Sequence, residues 1–259
     1  MSKGSRNRSK ASAKVAAMRA AEARRKRNQR LLIGAGAVVV VAALAVGITL
    51  AVSNGGSSAS AGSTPQLKTT SLSTLGSLKS APSPGPAGPE GVPIPAAAPL
   101  AGTATKATGQ KVDGISCQTS EQTIFHIHAH LTVFVNGSPR QVPAAIGIPK
   151  AQPQSTPHGT FIGGGACFYW LHTHAADGII HIESPVQRTY TLGDFFDEWG
   201  QPLSKTQAGS ATGQVTAIYN GKVYQGNPRD IPLDAHAQIQ LEVGTPLVAP
   251  EHITWPSGL

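Results

Sequence analysis

The chain has 259 residues and a formal net charge of +8, with 40% apolar and 13% charged residues. Eleven lysines and arginines fall within residues 1–30 against a single acid, Glu22, so this tail carries +10 and the remainder sums to −2. A protein basic throughout, built to coat nucleic acid, is thereby excluded, because the part long enough to fold is close to neutral.

The basic tail, 1–30, runs directly into LLIGAGAVVVVAALAVGITLAV, residues 31–52, which hold no charge. At ~1.5 Å per residue a helix of this length spans a ~30 Å hydrocarbon core. A core helix of a soluble domain would keep a polar face, and this run has none. A secretory signal would carry a shorter apolar stretch, although Ala59-Ser60-Ala61 offers a site for cleavage after Ala61. The segment 31–53 therefore reads as a transmembrane signal anchor. The lysine and arginine excess places the N-terminus in the cytoplasm, on anionic lipid headgroups, and everything after residue 53 outside the cell.

Residues 54–110 are dominated by Gly, Ser, Ala, Thr and Pro and contain no aromatic residue. That composition predicts a disordered, partly extended spacer. The domain expected to fold is 111–259, which holds all nine histidines, both cysteines and every aromatic residue. In an oxidising compartment Cys117 and Cys167 are expected to pair, a loop closure worth ~3–4 kcal/mol, with two free thiol metal ligands as the alternative.

Within this domain the pattern is mainly β. TIFHIHAHLTVFV, residues 123–135, alternates and ends at Asn136-Gly137, a hairpin turn signal. Short strands are expected around 140–142, 167–173, 178–183 and 237–243, and a second hairpin over 214–225 around Asn220-Gly221. Asp177-Gly178 predicts a hairpin between 168–174 and 179–183. One helix is expected at 191–199, with Thr191 as N-cap, Asp194 three residues on, and Gly200 and Pro202 as stops. The stretches 149–166 and 203–214 read as loops able to meet a cell-envelope partner. Strands around one short helix fit a small, mostly antiparallel α+β domain or a β-sandwich. The order hairpin, helix, hairpin, strand resembles β-grasp domains.

The histidines are clustered. On a strand, side chains repeat every second residue, so His126, His128 and His130 share one face. His172 and His174 share another, as do His181 and Glu183. Imidazole is the commonest ligand for divalent transition metals, and three or four converging donors make a site. These seven residues are enough for one complete site, or for two adjacent ions. The competing readings are a solvated strand face, a structural polar network, and a pH-responsive patch titrating near ~6.5. His158, His236 and His252 stand alone and read as structural. The only methionines, Met1 and Met18, lie in the tail, and the cysteines are expected to pair. Cu(II) or Zn(II) therefore suits better than a thiolate or thioether copper site.

HIHAHLTVFVNG, CFYWLHTHAADGIIHIESP and TLGDFFDEWGQPLS together resemble uncharacterised bacterial and archaeal exported or membrane-anchored proteins. Those proteins carry an HxHxH strand followed by an LHTHD-x-x-GIIHIE block. The resemblance covers roughly 117–205 and implies no established activity. Where that pattern has Asp, this chain has Ala175. Three functions remain open: a metal-binding ectodomain, a non-catalytic or pH-responsive envelope domain, and a metal-dependent enzyme with Glu183 or Asp177 as base. No HExxH, nucleophile elbow or phosphate-binding loop is present.

Overall fold

The computed structural model describes residues 67–102 and 107–259. The basic tail, the anchor predicted at 31–53 and the start of the spacer lie outside the described residues. Among the described residues no helix is long and apolar enough to cross a membrane.

The described residues are mostly β with a single short α-helix. Its main sheet contains β1 (Thr69–Thr70), β2 (Phe125–Val135), β3 (Ser138–Arg140), β4 (Leu171–His172), β5 (Ile179–Ser184), β6 (Val215–Tyr219), β7 (Lys222–Tyr224) and β8 (Gln238–Val243). The spatial order is β1-β7-β6-β8-β2-β5-β4, with β3 paired beside the end of β2. Two tight turns set the hairpins. Asn136-Gly137 joins β2 to β3 and Asn220-Gly221 joins β6 to β7, and all four residues have positive φ, the geometry Asn-Gly adopts at least cost. All the pairs are antiparallel except one: β8 runs parallel to β2, aligning Gln238 with His130 and Val243 with Val135.

Alternation then sorts the side chains. Ala129, Leu131 and Val133 of β2, Ile180 and Ile182 of β5, and Ile239, Leu241 and Val243 of β8 enter one core. Against it packs α1 (Leu192–Trp199), which buries Phe195, Phe196 and Trp199 completely. Its start is a reciprocal capping box between Thr191 and Asp194, and it stops at Gly200, which is left-handed at φ 70°. Tyr169, adjacent to the disulfide between Cys117 and Cys167, belongs to the same core.

The opposite face carries the polar half of each strand, and it too is buried. Its cover is the surprise in this fold. Composition assigns 54–110 to a disordered spacer, yet residues 67–102 are laid against the domain. Thr69 and Thr70 pair with β7, and Lys79 bridges Val248. Val92 is wholly buried beside Ile179 and Leu259, with Ile253 and Trp255 against them. Local composition fails here because the anchors are long-range. Pro-rich backbone with few donors is held by hydrogen bonds to distant residues, such as Leu100 N–H to the Gln141 carbonyl at 2.9 Å.

The C-terminal segment is held in a related way. Side chains of β8 stand in for a neighbouring strand: Gln238 Oε1 accepts from Ile253 N–H and Gln240 Oε1 from Glu251 N–H, each at 2.9 Å. Glu242 Oε1 accepts from Gln240 Nε2 at 2.7 Å and from Val248 N–H at 3.3 Å. Both predicted loops also contain pairing. Pro153–Thr156 and Gly159–Ile162 form a hairpin, and 203–204, 207–208 and 211–212 form a small three-stranded sheet.

Burial pushes the Glu242 carboxyl from 4.5 up to about 7. A raised folded-state value means the folded chain holds the proton more tightly, so stability from this group falls as pH rises between 4.5 and about 7. Glu242→Gln keeps the accepting oxygen and removes the charge. It is expected to exceed the parent in stability by about 2 kcal/mol at pH 8, after discounting for solvent screening, with the gap closing towards pH 4.5. Urea unfolding of the two proteins at each pH checks this.

Candidate metal centre

The register of three strands builds the site. Across β2 and β5, His126 faces Glu183 and His128 faces His181. Across β5 and β4, His181 faces His172. Three histidines thus form a row across the sheet, and alternation brings His174 and Glu183 to the same face. The rings of His128, His172 and His174 lie within 4.6–5.4 Å of the His181 ring, centroid to centroid. His128, His172, His174, His181 and Glu183 are buried, which overturns the solvated-face reading.

Ligand-bearing atoms gather in two overlapping sets, His172, His174, His181, Glu183 and His126, His128, His181, each within 4.8 Å. His130 joins neither. It shares the face, but the register sets it against Ile179, and its ring instead donates from Nε2 to the Asp177 carbonyl at 2.9 Å. Burial lowers its pKa to about 4. His158 is exposed in the turn after Thr156, and His236 stacks on Trp255.

The tautomers follow from the hydrogen bonds. His172 Nδ1 lies 2.7 Å from the Tyr169 carbonyl and His174 Nδ1 lies 2.5 Å from the Ile162 carbonyl. Carbonyls only accept, so both Nδ1 atoms carry the proton and donate. Each neutral ring therefore presents a bare Nε2, and these two nitrogens stand 3.2 Å apart. Protonating one ring would relieve the repulsion between the lone pairs, but burial and neighbouring histidines hold His172 down at about 3, and burial with the charge of His181 holds His174 at about 4. Two nitrogens bound at ~2.0–2.1 Å to one tetrahedral ion stand ~3.3 Å apart, so this spacing matches a shared cation.

His181 is set by a carboxylate that sequence reasoning missed. Its Nε2 donates to Glu90 Oε1 at 2.8 Å, and its Nδ1 lies 3.5 Å from Glu183 Oε1, beyond a good hydrogen bond. Burial pulls the His181 pKa down, but the charges of Glu90 and Glu183 and the hydrogen bond to Glu90 outweigh it and raise the ring well above 6.5. Glu183 is the converse: burial favours the neutral acid, yet the hydrogen bond from His126 and the neighbouring His181 hold it well below 4.5. A carboxylate on the far nitrogen of a histidine is the support that metal-binding imidazoles use to fix orientation and gain basicity. Glu90 did leave a trace in the sequence, as the only acid between Glu22 and Asp113.

Comparison with known proteins finds no matching family model, no matching curated protein and no matching solved structure. The chemistry is therefore argued from the residues. A buried cluster of histidines and one carboxylate, with its distal N–H groups tied to acceptors, can hold a metal ion.

Proposed function

We propose that this chain is a single-pass membrane protein, N-terminus in the cytoplasm, whose extracytoplasmic domain binds Cu(II) or Zn(II) at His172, His174, His181 and Glu183. The observation that carries the metal reading is the pair of unprotonated Nε2 atoms of His172 and His174, 3.2 Å apart in a buried site. Imidazoles with one carboxylate suit these two ions, with His181 giving up its Nδ1 proton to bind, and both cysteines are consumed in the disulfide. Topology rests on the +10 tail beside an uncharged apolar run. The disulfide agrees with an oxidising compartment.

Burial of all four ligands suits capture and retention of an ion better than turnover of a substrate. A pH sensor working near ~6.5 fits less well, because His172 and His174 are displaced to about 3 and about 4. The test is metal content of the full-length protein, purified in detergent without a histidine tag and dialysed, followed by titration calorimetry. At least one Cu or Zn per chain is expected to survive dialysis. Protein that takes up neither ion would overturn the proposal.

A further inference from the structure

We infer that the cluster is built for two ions, with a second, outer position at His126 and His128 joined to the inner one through Glu183. The inference rests on the metal reading above and extends it. His126 Nε2 and His128 Nε2 converge to 3.2 Å, and His126 would bind an ion on giving up the Nε2 proton it shares with Glu183. Glu183 lies between the pairs. It belongs to the inner ligand set, while its Oε1 is 3.0 Å from His126 Nε2 on the outer side. Its Oε2 is buried with no hydrogen-bond partner among the described residues. A carboxylate with one oxygen committed on the outer side and the other unsatisfied is placed to bridge two cations. His181 belongs to both sets, which fixes the two positions as neighbours.

Charge is compatible with cations here. Three carboxylates surround the histidines: Glu183, Glu90 against His181, and Glu121 with its Oε1 3.7 Å from His174 Nε2. Glu90 and Glu183 are buried, so the cluster is rich in anions. Access differs as well. The His126 side chain is 17% exposed and that of His174 is 4% exposed, so the outer position lies nearer to solvent, at His126. The outer ion is the one that exchanges with the medium, and the inner one is retained.

The experiment is copper loading of the full-length protein with elemental analysis and quantitative electron paramagnetic resonance. Two Cu(II) per chain are expected, with an integrated signal below the copper content because bridged ions couple. His126→Ala/His128→Ala is expected to hold one copper, now fully visible. Should the double variant misfold, His126→Ala alone, at the more exposed ring, is expected to show the same halving. One copper per chain in the parent, whether or not the outer histidines affect it, overturns the second position. The parent's one-ion binding in that case still supports the single-ion reading if His172→Ala/His174→Ala removes it. Two coppers retained in the outer variant would also overturn the inference, as would no copper in any form, and the single-ion reading would fall with it if zinc were not taken up either.

Discussion

Replacing His172 and His174 together by alanine is expected to weaken metal affinity by about a thousandfold or more. Loss of a supporting carboxylate one shell out typically costs ~10–100-fold, and a direct ligand contributes more than its support does. Both rings are oriented by backbone carbonyls, from Tyr169 and Ile162, so the double substitution removes two donors already aimed at the ion. His130→Ala is the informative control. It removes an imidazole from the same strand face, but one tied to the Asp177 carbonyl and outside both ligand sets. Its effect on affinity is expected to stay below about tenfold. Competition titration against a chelator of known affinity measures both variants. Equal losses in the two would mean that the ligand set has been misassigned.

The contrast between His130 and its neighbours shows what a strand pattern can and cannot reveal. Alternation in FHIHAHLTVFV places His126, His128 and His130 on one face, and the structure agrees, with β2 at Phe125–Val135. Direction is local, whereas distance to a partner depends on register. His128 meets His181 and His126 meets Glu183, but His130 meets Ile179. Asn-Gly turns and the Thr191–Asp194 box were equally legible, because each is a device of two to four consecutive residues. The parallel pairing of β8 with β2 was not, since it joins residues more than 100 positions apart. The two-residue strands in 203–212 are too short to carry any period. Glu90 was hidden for a different reason: its segment looks unfoldable on composition, and only its burial against His181 gives it a role.

A chain cut to begin at residue 111, the boundary composition suggests, is expected to lose most of its stability, while one beginning at residue 67 folds. The cut removes Val92 and Leu100, both buried, each worth ~1.5–3 kcal/mol. It orphans Trp199 Nε1, which donates to the Gly102 carbonyl at 2.8 Å, and the Tyr169 hydroxyl, which donates to the Gln110 carbonyl at 2.5 Å. Each hydrogen bond lost costs ~0.5–1.5 kcal/mol net. It also strips Glu90 from His181, leaving a buried ring without the anion that raises its pKa. Together these losses rival the ~5–15 kcal/mol that holds an ordinary domain folded. Circular dichroism and urea unfolding of the two chains, both with the disulfide formed, decide the matter. The metal centre should follow the fold: residues 67–259 bind copper or zinc as the full chain does, and residues 111–259 do so weakly. Equal stability of the two chains would show that the strap across the polar face contributes little. In that case Glu90 would be a neighbour of the centre and not its support, and Glu90→Gln would leave metal affinity unchanged.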